Sequence, residues 1–414
     1  MRTIRANWIA AACVLLVIAA VTVYLIFFVK GETPAAYSFQ ETGAPITYAA
    51  DAHACVYAYG ASQYYLCTKD GVRGVTSSGQ LKWNVPLTLT APSIIGRGTV
   101  AAVAESRGTA VYVFNPSGLL YQKTFDYPLL GYSVTAEGRL SVILQTDTAY
   151  QVLTFSENGD LGLTCNFQDD NVYPVTADIS GDGKILAVSL YDVSNVRPTS
   201  KILFLYTDAQ QSKSFQDSIF ATRERPQELV GALRFLPGNR LVAVSDKALA
   251  CYQPGANNTV SDLWQLPLHN EISQMAFDQD GFAYADGVGL LNDFAAGEEG
   301  TVHIVSAAGE EEGTFLPHQP VTYLSLAKAG CVLGLGAGYT GISRKGDVLW
   351  QLNTLRELSA LVPLESMNTV LQVSDTQAGC LQRSRGAAAT SEDAPATEGA
   401  PAAEGSPDPT AAGE

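Results

Sequence analysis

The sequence predicts an all-β chain: a β-propeller of about eight four-stranded blades, with seven as the alternative count, preceded by one N-terminal transmembrane helix. Three observations lead there. An uncharged apolar run lies near the N-terminus, a strand–turn–strand unit ending in Trp recurs along the chain, and its copies are spaced by a near-constant interval.

The apolar run is WIAAACVLLVIAAVTVYLIFFV, Trp8 to Val29, 22 residues without a charge. At about 1.5 Å per residue such a helix spans the roughly 30 Å hydrocarbon core of a bilayer. Trp8 and Tyr24 suit the two interfaces. Arg2 and Arg5 precede the run, and Lys30 beside Glu32 follows it. This bias predicts residues 1–7 in the cytoplasm and everything after the span on the far side. The run is longer than a signal-peptide core, and Thr33-Pro34-Ala35-Ala36 is a poor cleavage site, so a retained signal-anchor is expected. Residues 30–45 read as a juxtamembrane linker.

Beyond the anchor, three segments share one ending: GVRGVTSSGQLKWNVPL (71–87), ALACYQPGANNTVSDLWQLPL (248–268) and GYTGISRKGDVLWQLNTL (338–355). Each is an apolar strand, a polar turn and a second strand carrying Trp83, Trp264 or Trp350. Weaker copies lie at 110–125, 149–167, 201–215 and 301–315, and most copies follow another strand pair around a turn, as in VTADISGDGKILAVSLY and LRFLPGNRLVAVSD. Abundant β-branched and aromatic residues, punctuated by 37 Gly and 19 Pro, fit many short strands. Trp83 and Trp350 are 267 residues apart; six repeats of about 44 residues match the length of a four-stranded blade. Eight units start near 46, 91, 131, 173, 229, 271, 320 and 358. The last, Leu358 to Arg383, has room for three strands only, so Pro45 to Ala52 is expected to supply the fourth and close the ring. A propeller also explains how so long a strand-rich chain hides its edges.

This strand–turn–Gly–strand–Trp unit resembles the repeat of quinoprotein-type (PQQ-like) propellers. The layout, over residues 8 to 383, is similar to that of DUF5711, a family of membrane proteins from Clostridia and other Firmicutes with an N-terminal span followed by a propeller. The resemblance implies fold and location. It supplies no functional residues to carry over.

After Arg385 the composition changes to GAAATSEDAPATEGAPAAEGSPDPTAAGE, with six acids and no base. Such a segment buries too little apolar surface to offset ordering entropy, so residues 386–414 read as a disordered acidic tail. About −6 of the net charge of −16 sits there. An acidic chain without Lys/Arg clusters excludes nucleic acid as a partner, since that binding needs cations to displace counterions.

No catalytic or metal-binding constellation is visible. His53, His269, His303 and His318 stand apart, with no HxH or HExxH spacing. Cys55, Cys67, Cys165, Cys251, Cys331 and Cys380 form an even set outside the span, yet none has framework spacing. Most read as small hydrophobes in strands, with Cys55 and Cys67 able to face each other in one blade. Asp178-Ile-Ser-Gly-Asp182-Gly183 and Asp278-Gln-Asp280-Gly281 have part of a calcium-loop pattern but fall where hairpins must turn. Gly334-Leu335-Gly336-Ala337-Gly338 superficially matches a phosphate loop but sits inside a strand pair with no helix to follow, which favours close strand packing. Two excursions, 192–200 and 287–300, are longer than a hairpin needs.

The expected function is a non-enzymatic binding or scaffold module, membrane-tethered and facing an envelope protein or cell-wall component, with no cofactor. The alternative is a quinone-dependent (PQQ-type) oxidoreductase with its site in the central channel. A sensor reading is weakened by the seven residues before the span.

Overall fold

In a computed structural model, residues 37–287, 300–336, 338–354 and 357–385 are described. The predicted span, the acidic tail and nearly all of the 287–300 excursion lie outside them. The chain divides into a unit Phe39–Ser384 and a second made of the residues on either side of it.

The unit Phe39–Ser384 is a β-propeller of eight antiparallel blades. Seven are built from consecutive strands: residues 55–86, 92–124, 129–167, 172–226, 230–267, 272–315 and 321–353. The eighth uses Ala360–Pro363, Thr369–Val373 and Gln377–Arg385, with Tyr37–Glu41 as its outermost strand. The count is therefore eight. First strands of most successive blades touch one another and form the inner wall. Second strands, such as Val100–Glu105 and Leu140–Gln145, are buried along almost their whole length. Neighbouring blades cover both of their faces, which is why they read as continuous apolar runs rather than alternating ones.

Blades adhere through apolar clusters shared by neighbours. Val100, Val111 and Val113 of blade 2 pack with Leu129, Leu140 and Val142 of blade 3, and Tyr64, Leu66 and Val75 of blade 1 pack with Leu371, Val373 and Cys380 of blade 8. The repeated Trp is an inter-blade staple. Trp83 stacks on Phe114 of the next blade (5.7 Å, 4°) and donates its indole N–H to Pro116 O at 3.0 Å. Trp350, 2% exposed, does the same to Met367 O of blade 8 at 2.9 Å. The glycine across the strand pair makes room: a Cβ on Gly341 would lie 2.2 Å from the Trp350 ring, and one on Gly74 2.4 Å from that of Trp83.

Closure differs in detail from expectation. The segment that completes blade 8 starts at Tyr37, inside the stretch read as linker, and contributes two pieces. Tyr37–Glu41 runs beside the last strand, and Ile46–Thr47 pairs with Ala378 and Gln377 of that same strand. Thr42 N–H and Tyr48 N–H add bonds to Cys380 O (2.8 Å) and Thr376 O (2.9 Å). Between the pieces the chain threads against the 77–80 turn of blade 1. A Cβ on Gly43 would lie 2.0 Å from Ser78 O, and one on Gly79 2.1 Å from Ala44 O, so both positions need glycine. Both also have positive φ, 86° and 79°. Residues 49–52 form a turn instead of strand.

Blade 4 departs in a second way. The 201–215 copy places its second strand at the end of the segment. The structure instead inserts a short helix, Ala209–Ser212, and begins the fourth strand at Ile219–Pro226. Asp208 caps that helix through Gln210 and Gln211 N–H, at 2.9 and 2.8 Å.

Candidate functional site

The ring has two unlike faces. Tight turns joining first to second and third to fourth strands lie on one, here the turn face. Connections between second and third strands, and between blades, lie on the other, the loop face.

Near the turn face, charged side chains cross the axis. Arg97 ends the first strand of blade 2 and reaches Asp178 in the first strand of blade 4, Nη2 to Oδ2 2.7 Å. The same oxygen accepts Phe235 N–H of blade 5 at 2.7 Å, and Arg97 Nη1 donates to Ile179 O at 3.3 Å. Arg234 of blade 5 reaches back to Gly96 O of blade 2 at 3.2 Å. Gly96 is bare because Tyr57 of blade 1 lies on it; a Cβ there would be 2.3 Å from the ring, whose hydroxyl donates to Gly98 O at 3.0 Å. Blade 6 also reaches this point, with Gln279 3.8 Å from where a Gly98 Cβ would stand.

Asp178 is 1% exposed. Its Oδ1 and Arg97 Nε have no protein hydrogen-bond partner. Burial, then the neighbouring Arg97, pulls the Arg234 guanidinium down to about 10, and burial pushes the Tyr57 hydroxyl up to about 12. Arg97 and Phe235 N–H on the Asp178 carboxylate, with Arg234 on Gly96 O, tie blades 2, 4 and 5 together. The sequence carried one signal for this knot: charged residues inside otherwise apolar first strands.

The quinoprotein likeness implies a calcium-bound quinone in the channel, and the residues present do not fit it. A calcium ion needs six to eight oxygen ligands. The buried Asp178 carboxylate is already engaged by Arg97 and Phe235 N–H, and no group of three or more His, Cys, Asp or Glu that could hold a metal occurs among the described residues.

The other residues singled out in the sequence have local structural roles. Asp182 caps its turn, with Oδ1 accepting from Ser180 Oγ (2.7 Å) and Lys184 N–H (3.1 Å). Asp278 accepts Asp280 and Gly281 N–H at 2.8 and 2.7 Å and pairs with Arg344 at 2.6 Å. Both are hairpin turns, as expected. Gly334 lies in strand Gly330–Leu335, where a Cβ would be 2.9 Å from Tyr323 Cβ, so close strand packing explains it. His303 stacks on Tyr284 (4.8 Å) between Asp286 (3.6 Å) and Glu311 (3.2 Å), away from the other three histidines.

All six described cysteines are free thiols. Cys55 and Cys67 are direct partners across two strands of blade 1. Cys55 Sγ donates to Pro92 O at 3.6 Å and Cys67 Sγ to Thr68 O at 4.0 Å; the facing Cys55 thiol, then burial, raises the Cys67 thiol well above its usual range. Burial pushes Cys165, Cys251 and Cys380 up to about 12, which leaves them unreactive hydrophobes.

The loop face is different in character. In blades 3 to 7 the first strand carries a bulge at the same place, at Leu130, Val175, Gly231, Ser273 and Thr322. The extra residue turns out of the ladder near the channel mouth, leaving Leu130 43% exposed. Tyr173 is 39% exposed and meets Tyr150 edge-on at 5.8 Å. Val196, at the tip of the 193–198 loop, and Leu229 are also exposed on this face. A small cavity of about 150 Å³ lined by Asp147, Tyr150, Phe167 and Asp170 adjoins this set.

Asp192 roots the Val196 loop. It accepts Ser194 N–H at 2.9 Å and Lys201 Nζ at 2.7 Å. The Lys201 hydrogen bond, with help from Ser194, holds the carboxyl down at about 2 against an ordinary 3.8. A depressed carboxyl contributes stability above its unfolded value and loses it as pH falls through the folded one. Hydrogen exchange over 193–198 should therefore be slow at pH 5 and accelerate between about pH 4 and 2, and Asp192→Asn should be fast throughout.

The profile described as "Family of unknown function (DUF5711)" matches residues 41–380. The chain belongs to this family. No curated protein matches it. Among solved structures, Sqt1 from Chaetomium thermophilum is similar at 11% identity and TM-score 0.51, over 84% of this chain and all of that one. BamB from Moraxella catarrhalis is similar at 14% identity and TM-score 0.48, over 83% of this chain and all of that one. Likeness at these identities concerns the fold. For this DUF5711 chain, function must be argued from its own surfaces. Among the described residues no helix is long and apolar enough to cross a membrane.

Proposed function

We propose that the chain is a non-enzymatic binding propeller that holds an envelope protein on its loop face while residues 8–29 tether it to the membrane, with the propeller on the extracytoplasmic side. The observation that carries this reading is the group of exposed apolar side chains on the loop face of blades 3 to 5: Leu130, Tyr173, Val196 and Leu229. Aromatic and aliphatic side chains gathered on a rigid scaffold are what a protein partner buries. The axial knot supports the reading by leaving the channel bridged at its turn end. The tether rests on the uncharged run and the Arg2 and Arg5 bias.

A photoreactive amino acid placed at Tyr173 or Val196 of the full chain in cells should yield a discrete protein adduct. The same probe at Leu81 or Leu119, exposed near the turn face, should yield none. No adduct from either face, or equal adducts from both, overturns the proposed interface. Protease added to intact spheroplasts should digest the propeller; protection would overturn its location.

A further inference from the structure

A second feature of the loop face, independent of the partner-binding surface, lies between blades 6 and 7. A cleft of about 510 Å³ opens there, within the range of small-ligand sites. Its lining is chemically selective. The chain carries 41 acidic and 25 basic residues, yet no Asp, Glu, Lys or Arg lines the cleft. Three primary amides do, from Gln319, Gln351 and Asn353, together with Thr340, His318 and Phe315.

Strand pairing explains how they converge. Thr340 is opposite Gln351 and Gly338 opposite Asn353, so the outermost strand of blade 7 presents Gln351 and Asn353 on one face beside Thr340. Gly338 keeps the floor open: a Cβ there would lie 2.6 Å from Asn353 Oδ1 and within 3.3 Å of Leu352 O. Gly338 has no positive φ to demand glycine; the space does. Tyr339, between Gly338 and Thr340, turns its ring to the other face of the strand, where its hydroxyl donates to Leu358 O (3.1 Å) and the ring meets Tyr323 edge-on (6.1 Å).

The geometry points to a binding site for a neutral oligosaccharide. A primary amide both donates and accepts, as does each hydroxyl of a sugar, so three amides can satisfy vicinal hydroxyls without a net charge. An aromatic face accommodates the apolar C–H face of a pyranose while hydroxyls point to the rim. An anionic ligand would find no Lys or Arg here, only His318, and a cationic one no carboxylate.

The test titrates the purified full chain in detergent with β-1,4-linked N-acetylglucosamine tetramer, cellotetraose and maltotetraose, read by saturation-transfer NMR and calorimetry. At least one should bind saturably below 10 mM. Gln351→Ala with Asn353→Ala should weaken it at least tenfold, and Gly338→Val, which fills the cleft, should abolish it. Gln351 and Asn353 are exposed on an edge strand, so the double variant should melt with the parent. Absence of saturable binding by all three sugars overturns the site, as does binding that the double variant retains at parental strength. Sugar binding and the Tyr173/Val196 adduct use separate residues, so either can fail while the other stands.

Discussion

Deleting residues 37–47 should lower the melting temperature sharply and turn the protein into a mixture of oligomers. The strand Tyr37–Glu41 and the pair Ile46–Thr47 cover the last strand of blade 8. Their loss removes the Thr42 backbone bond to Cys380 and the Ile46 packing against the blade 1–blade 8 cluster, where Tyr48 is anchored next in the chain. It also removes Phe39, which meets the Trp350 ring edge-on at 5.1 Å. Several backbone hydrogen bonds at about 1 kcal/mol each, with two partly buried apolar side chains, amount to on the order of 5 kcal/mol. The freed strand Gln377–Arg385 then offers an unpaired edge in which Ala378 and Cys380 were buried. Differential scanning calorimetry and light scattering read both effects. A monomer with an unchanged melt would show that closure lies elsewhere.

Asp178→Ala should destabilise by about 3–5 kcal/mol, as expected when one partner of a buried pair is removed. It strands Arg97 beside Arg234 and leaves Phe235 N–H without its acceptor. Asp178→Asn keeps an oxygen for Phe235 N–H and loses only the charge, so its urea midpoint should fall between parent and Ala variant. Because Arg97 and Arg234 come from blades 2 and 5, the Ala variant should also show faster exchange in those first strands. If both variants unfold with the parent, the knot does not hold the ring.

Most of the ring could be read from the chain because its determinants are local. Short apolar strands, Asp-Gly and Ser-Gly turns, and the Trp of blades 1, 5 and 7 each act within one blade of about 44 residues. Seven of the eight unit starts fall within two residues of a first strand. The exception is the first unit, where residues 46–47 belong to blade 8 and blade 1 begins at Cys55. YSFQE has little strand signature of its own. It becomes a strand because the last blade offers an open edge, and only ring closure brings residues so far apart in sequence together.

The candidate sites were less legible for the same reason. Arg97 and Arg234 are 137 residues apart, and no spacing rule links them; curvature of an eight-blade ring sets which first strands face each other. The bulges that expose Leu130, and the absent side chain at Gly338 that opens the blade 7 cleft, are likewise invisible to alternation. The apparent calcium motifs run the other way. Asp182 and Asp278 looked ligand-like because Asp-Gly turns and calcium loops use the same residues, and backbone N–H groups occupy those oxygens.

The sequence by itself therefore determined a strand-rich chain of about eight repeats, seven of its blade starts, the recurring Trp and the family resemblance. It also set the expectation of an anchor at 8–29 and an acidic tail, both outside the described residues. These rest on periodicity, turn chemistry and hydropathy, which act over a few neighbours. Only the tertiary structure decided where the ring closes, that Arg97, Asp178 and Arg234 meet across the axis, and that uncharged amides gather in one cleft. Those arrangements depend on distances between residues far apart in the chain, and folding alone sets them.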